Sequence, residues 1–242
     1  VGGGIDELPA FLGAGLVQPV AVAVQPFAVG RGLVDVLLFL AEAPVERYDY
    51  AAYGGPAGAT AANDLARRGR RVLLLDRAGR IKPCGGAIPP RAIKDFDIPD
   101  HLLVAKARSA RMIAPSDSKV DIPIEGGFVG MVDREHFDEW LRERAADGGA
   151  VRRNGKFERV GVDTDGISTV TWLDEDGSAR HTVRARSIIG ADGARSAVAQ
   201  QTVPGADKTK YVFAYHEIVR APAVEERAGV DYDPSRCDVY YR

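Results

Sequence analysis

Cysteine is scarce: Cys84 and Cys237 are the only two in 242 residues, and they stand in unrelated contexts. That excludes a disulfide framework and points to a reducing compartment. No cysteine or histidine has a partner at ligand spacing, so no metal site is expected. An excess of either charge is also lacking. The 32 Lys and Arg against 34 Asp and Glu leave a formal charge of -2, which gives no reason to expect nucleic acid. A membrane-spanning helix wants ~20 nearly uninterrupted apolar residues. The best stretch, 16–43, is broken by Gln18, Pro19, Gln25, Pro26, Arg31 and Asp35. Residues 1–46 contain no Ser, Thr, Asn, Lys or His, and their charged residues are Asp6, Glu7, Arg31, Asp35, Glu42 and Glu46. They also lack the basic start and small-residue cleavage pattern of a secretory signal. The expectation is an atypical leader outside the fold. An interfacial anchor is disfavoured because no basic face is present.

What is present begins at residue 48 with YDYAAYGGPAGATAANDLARRGRRVLLLD. The short apolar run 48–53 reads as a strand, and Gly54, Gly55, Pro56, Ala57 and Gly58 as a tight turn. An alanine-rich helix over 59–68 follows, with Ala61, Ala62, Leu65 and Ala66 inward and Gly69 ending it in the left-handed conformation. The uninterrupted apolar run 72–75 suits a strand buried on both faces. This order is the first βαβ unit of a dinucleotide-binding fold. A pyrophosphate needs backbone N–H groups and a helix N-terminus at close range, so glycines leave it room. Asp76, ending the second strand, is the expected acceptor for an adenosine ribose. One departure stands out: counting back from Gly58 and Gly55 puts Tyr53 where the fingerprint G-x-G-x-x-G has its first glycine. Either Tyr53 replaces the turn glycine, where its Cβ opposes positive φ and is expected to weaken cofactor binding, or one residue is missing from the strand–turn junction.

Behind Asp76 come Arg77 and then KPCGGAIPP (82–90). Further on stand FDIPD (96–100), KVDIPIEGGFVGMVDREHFDEWLRERA (119–145), GADGARS (190–196) and YHEI (215–218). Together these segments resemble the geranylgeranyl reductases of (bacterio)chlorophyll biosynthesis, flavoproteins that saturate an isoprenoid tail. The resemblance covers about residues 47–242 and none of 1–46. It implies an α/β architecture: a Rossmann-like FAD-binding domain with a β-meander over 47–208, to whose substrate side 88–130 contributes. Residues 209–242 then begin an antiparallel α+β substrate-binding domain, incomplete because the family pattern continues into further motifs. The chain therefore reads as C-terminally truncated. The implied cofactor is FAD, held by Gly54, Gly55, Pro56, Ala57, Gly58, Asp76, Arg77, Arg134, Asp192 and Gly193. NADPH is the implied electron donor, with ferredoxin as the alternative. The substrate would be a small prenyl or chlorophyll-type molecule. The location would be cytoplasmic, with peripheral association with the photosynthetic membrane left open.

The remaining segments read as follows. Asp133 is a good N-cap for a helix over 134–147 that Gly148-Gly149 stops, with Phe137, Trp140, Leu141 and Ala145 as its core stripe. Arg134 in the first turn opposes the helix dipole, which an outside anion would rationalise. Segments 156–162, 168–174 and 180–185, divided by Asp165-Gly166 and Asp176-Gly177, form an antiparallel meander leading to a buried strand at 187–189. The alternation in YVFAYHEIV (211–219) suggests a further strand, with His216 half-buried in its sheet. Isolated prenyl double bonds have no carbonyl to stabilise a carbanion. Their reduction therefore wants an acid opposite the hydride source and a trough that excludes water. Cys84, Gly85 and Gly86 are the catalytic candidates: the thiol as proton source or packing contact, the glycines to let backbone approach the flavin ring. Two other readings remain: a flavin monooxygenase, which would not call for KPCGGAIPP, and an inactive fragment that binds FAD poorly.

Overall fold

The computed structural model describes residues 45–77, 84, 86–217 and 219–241. The expected leader lies outside them except for its last two residues, as do Gly85 and most of the loop before Cys84. The first elements are β1 (Arg47–Gly54), α1 (Pro56–Arg67), β2 (Val72–Asp76), β3 (Ala87–Ile88), α2 (Pro90–Asp95) and β4 (Leu103–Ala107). Then come β5 (Ser109–Ile113), β6 (Lys119–Pro123), β7 (Val129–Val132), α3 (Arg134–Asp147) and β8 (Val151–Asn154). The last are β9 (Lys156–Val162), β10 (Ser168–Leu173), β11 (Arg180–Ala191), α4 (Ala197–Thr202) and β12 (Arg236–Tyr240).

The main sheet has the order β8-β2-β1-β11-β10-β9. Its first four strands run parallel, and β10 and β9 close it as an antiparallel meander. Strand β2 is buried along its whole length, and its side chains alternate between two cores. Val72 and Leu74 meet α1 and α3 through Ala59, Ala62, Phe137, Leu141 and Ala145. Leu73 and Leu75 meet Phe157, Val170, Trp172 and Val198 on the other face. Burying each leucine stabilises the domain by about 1.5–3 kcal/mol. This is why a continuous apolar run, not an alternating one, occupies the strand.

Helix α1 starts at Pro56, three residues earlier than expected, so Pro56, Ala57 and Gly58 form its first turn and not a loop. Proline suits that place because it lacks the N–H that a first turn leaves unpaired. Gly69 ends the helix as anticipated: at φ +74°, its N–H reaches the Ala66 carbonyl at 2.8 Å and the Arg70 N–H that of Leu65 at 3.1 Å.

The meander departs from expectation at its end. Instead of two strands over 180–185 and 187–189, β11 is one strand of 12 residues. It pairs antiparallel with β10 through Arg180–Ala185 and parallel with β1 through residues 184–191. A strand has two independent hydrogen-bonding edges, so changing partner requires no break. Ile188 and Ile189 are half-buried where full burial was expected.

Two three-stranded sheets complete the structure, ordered β3-β7-β4 and β12-β5-β6. In the second, register puts Ala110, Met112, Val120, Ile122, Cys237 and Val239 on one face and Arg111, Asp121, Arg236 and Asp238 on the other. Residues 211–217 and 219 form no strand and are exposed: Val212 is 100% and Phe213 93% accessible, and His216 is exposed too. Alternation supplies strand propensity, but propensity alone does not place a segment in a sheet.

Candidate functional site

The C-terminal ends of β2, β1 and β11 lie side by side, with Tyr53 opposite Leu75 and Gly54 opposite Ala191. The chain passes from β1 to β2 on one side and returns to β11 on the other. This is the switch point at which open α/β sheets bind ligands. Gly54, Asp76 and Asp192 meet there.

Gly54 makes the turn at φ +129°, and a Cβ on it would lie 2.0 Å from the Ala191 carbonyl oxygen. Only glycine fits. The strain expected at Tyr53 is absent: among the described residues, Asp97 and Asp117 are the only non-glycines with positive φ. Tyr53 stays in β1 and stacks its ring on Phe157 at 5.0 Å. Gly55 precedes α1 without a capping side chain, and the first turn holds no carboxylate. The N-terminal N–H groups and positive dipole end of a 12-residue helix therefore lie beside the glycine turn with no side-chain cap on them. These residues fit a pyrophosphate.

Asp76 is buried at the end of β2. Its Oδ1 accepts the Arg77 N–H at 2.8 Å, and its Oδ2 accepts Nε of Arg142 at 3.2 Å. Arg142 Nη1 donates to Glu139 at 2.8 Å, and Arg152 on β8 donates twice to the same carboxylate, at 2.6 and 2.9 Å. Those arginines, Arg152 first, hold the Glu139 carboxyl below its usual range. Asp192, just beyond β11, accepts from the Ser196 hydroxyl and from the Ala197 N–H at 2.6 Å, so it fastens the start of α4. Gly193 follows at φ +95°, which suits its residue type.

At the other end of α3 lies the cysteine loop. A Cβ on Gly86 would sit 2.2 Å from the Val132 carbonyl oxygen, and the Val132 N–H donates to the Gly86 carbonyl at 3.0 Å. That clamp holds the loop against the entry to α3, whose N-cap Asp133 accepts the Glu135 N–H at 2.9 Å. Cys84 is exposed, and the Gly86 N–H donates to its Sγ at 3.5 Å. This N–H and the Arg134 guanidinium pull the thiol below its ordinary pKa. Arg134 itself is paired within the helix, through Nε and Nη2, with both oxygens of the buried Asp138 at 2.7 and 2.8 Å. The expected outside anion is therefore not needed to explain Arg134 in the first turn.

Sequence reasoning missed Asp138, Glu139, Arg142 and Arg152. A signal was available: Arg134, Asp138 and Arg142 recur every fourth residue, an alternating charged stripe beside the apolar one. Along α3 that stripe spans about 12 Å and joins the cysteine loop to the acidic end of β2.

A glycine turn opening a helix at a sheet's switch point, with a carboxylate on the neighbouring strand, defines the nucleotide-binding end of a Rossmann-like domain. The family described as FAD binding domain matches residues 100–228, more than half of the chain, and the chain belongs to it. It is 59% identical over 196 residues to a geranylgeranyl diphosphate reductase of Rhodobacter capsulatus, covering 81% of this chain and 48% of that protein. It is 39% identical to the chloroplastic geranylgeranyl diphosphate reductase of Oryza sativa, covering 70% of this chain and 39% of that one. The chain thus spans half or less of these relatives. A crystal structure of a geranylgeranyl bacteriochlorophyll reductase-like protein from Thermoplasma acidophilum shares the fold. It superposes with a TM-score of 0.65 at 22% identity, over 81% of this chain and 50% of that one.

Proposed function

We propose that the protein reduces the isolated double bonds of a geranylgeranyl group to the phytyl level in (bacterio)chlorophyll biosynthesis, with FAD in the site described. The 59% identity to a protein of that name over 81% of the chain carries this reading. Gly54, Gly55, Pro56, Ala57 and Gly58 seat the pyrophosphate against the open end of α1. Asp76, braced by the Arg77 backbone, accepts from the adenosine ribose, and Asp192 and Gly193 line the approach to the phosphates. Arg134, fixed on Asp138 through Nε and Nη2, brings its charge to the phosphate side of the site.

FAD supplies a hydride-donating centre in this chemistry, and NADPH is the proposed source of its electrons. The chain's own contribution is the proton. An acid acts better when its conjugate base is stabilised, and the Gly86 N–H and Arg134 stabilise the Cys84 thiolate left behind. Gly86 lets the loop close on the Val132 backbone and so sets where Cys84 stands, and Gly85, outside the described residues, is proposed to leave backbone room beside the flavin ring. The apolar face of the β12-β5-β6 sheet, with Val120 60% and Ile122 48% accessible, supports a substrate side formed by 88–130 together with 209–242. Residues 47–208 otherwise make up the FAD-binding domain. Among the described residues no helix is long and apolar enough to cross a membrane. A cytoplasmic location with peripheral membrane contact suits a prenyl substrate.

The test is anaerobic turnover of the full-length, FAD-loaded protein with NADPH, using geranylgeranyl diphosphate in one arm and geranylgeranyl bacteriochlorophyll in the other. The expected product gains two hydrogens per double bond, and Cys84→Ser slows the step by about 10²-fold or more. Oxygen uptake with a hydroxylated product would instead identify a monooxygenase and end the proposal.

A further inference from the structure

A carboxylate at a strand end ordinarily turns about two side-chain bonds, and the ribose reading depends on Asp76 holding still. Two donors stop it, one on each oxygen: the Arg77 N–H on Oδ1 and Arg142 Nε on Oδ2. Arg142 is itself held. Its side chain is 6% accessible, and Glu139 binds its Nη1. Glu139 in turn is gripped by Arg152, which stands opposite Leu74 on β8 while Asn154 stands opposite Asp76. The charges run from β8 through α3 to the tip of β2 and are anchored on two adjacent strands. A network closed in this way fixes direction as well as charge.

We infer that Arg142 is the positioning residue of the nucleotide site: it orients Asp76 to receive the adenosine ribose without touching the ligand. This rests on the FAD reading above. Each carboxylate oxygen offers two acceptor sites. Among the described residues one site on each is occupied, by the Arg77 N–H and by Arg142 Nε, which leaves one on each, side by side. That is the arrangement that a pair of neighbouring ribose hydroxyls requires. Glutamine at 142 keeps a donor but loses the charge and the fork. Lysine keeps the charge but places it at one point, so it cannot serve Asp76 and Glu139 together.

The experiment titrates the flavin-free full-length protein with FAD and with its 2′-deoxyadenosine counterpart, following flavin fluorescence, and records a melting temperature for each variant. The wild type is expected to prefer FAD by about tenfold or more, the worth of a hydrogen bond to a charged group. Arg142→Gln is expected to weaken FAD binding by about tenfold and to collapse that preference to about twofold or less, with Arg142→Lys between the two. If Arg142→Gln fails to fold, Glu139→Gln, which frees Arg142 at its far end, is expected to reduce the preference in the same direction. A preference that stays at the wild-type value in these variants, even with both affinities lowered, makes Arg142 merely structural and overturns the inference. A wild type that binds no FAD removes the reading beneath it as well, so the two failures are distinguishable.

Discussion

At the scale of single residues, Gly54 and Tyr53 divide a task that a sequence fingerprint assigns to one position. Gly54 carries the positive φ and the close approach to Ala191, while Tyr53 remains extended and packs on Phe157. Restoring the fingerprint with Tyr53→Gly is therefore expected to harm the protein. It removes an aromatic pair worth about 0.5–1.5 kcal/mol and adds about 0.5–1 kcal/mol of backbone entropy cost. Gly54→Ala is expected to cost more, since strain of about 1–3 kcal/mol adds to a Cβ overlapping a carbonyl. Urea denaturation of the two variants checks the order, and a Tyr53→Gly protein more stable than wild type would contradict it. The glycine-rich turn was legible in the sequence, but which residue turns was not. The φ at each position is set by how closely β11 passes, and β11 lies far along the chain.

At the scale of elements, α3 and β12 show how charge places a segment. The apolar stripe of α3 was readable from spacing alone. The buried pair Arg134–Asp138 and the contact Arg142–Asp76 were not, because a charged residue on a helix is ordinarily solvated. Strand β12 is tied to its sheet through Arg236, which binds Asp231 and Asp238, while Arg111 and Lys119 reach the same Asp231. Arg236, then Lys119, holds the Asp231 carboxyl down to about 2. A depressed carboxylate contributes stability above its unfolded value near ~3.9 and loses it as pH falls through the folded value. Protection of the β12 amides against hydrogen exchange is therefore expected to fall between about pH 4 and pH 2. Asp231→Asn is expected to lower that protection already at neutral pH. Unchanged protection in both cases would show that pairing with β5 alone holds the strand.

At the scale of the whole molecule, the two cores meet on β2, and the nucleotide site lies at the open end of the same strand and its neighbours. A ligand there touches the elements that organise both cores, so binding is coupled to global stability. FAD at 100 times its dissociation constant is expected to stabilise the protein by about 2.7 kcal/mol, read as a rise in melting temperature. Asp76→Asn should shrink that rise. A rise at the same FAD concentration that is unchanged in Asp76→Asn would remove Asp76 from the ligand contacts.

Local periodicity and glycine placement determined the order strand, turn, helix, strand and acidic end, the capped helix behind Asp133, and the meander turns at Gly166 and Gly177. Each depends on neighbours within a few residues, which a sequence displays directly. Contacts distant in sequence decided the rest: Gly54 as the turning residue, β11 as one strand shared between two partners, and Asp138 as the counterion of Arg134. They also left 211–217 exposed, since alternation gives a segment strand propensity but no pairing partner. Hydrogen-bonding edges and buried charges are satisfied by whatever the fold brings near, and only the tertiary structure names that partner.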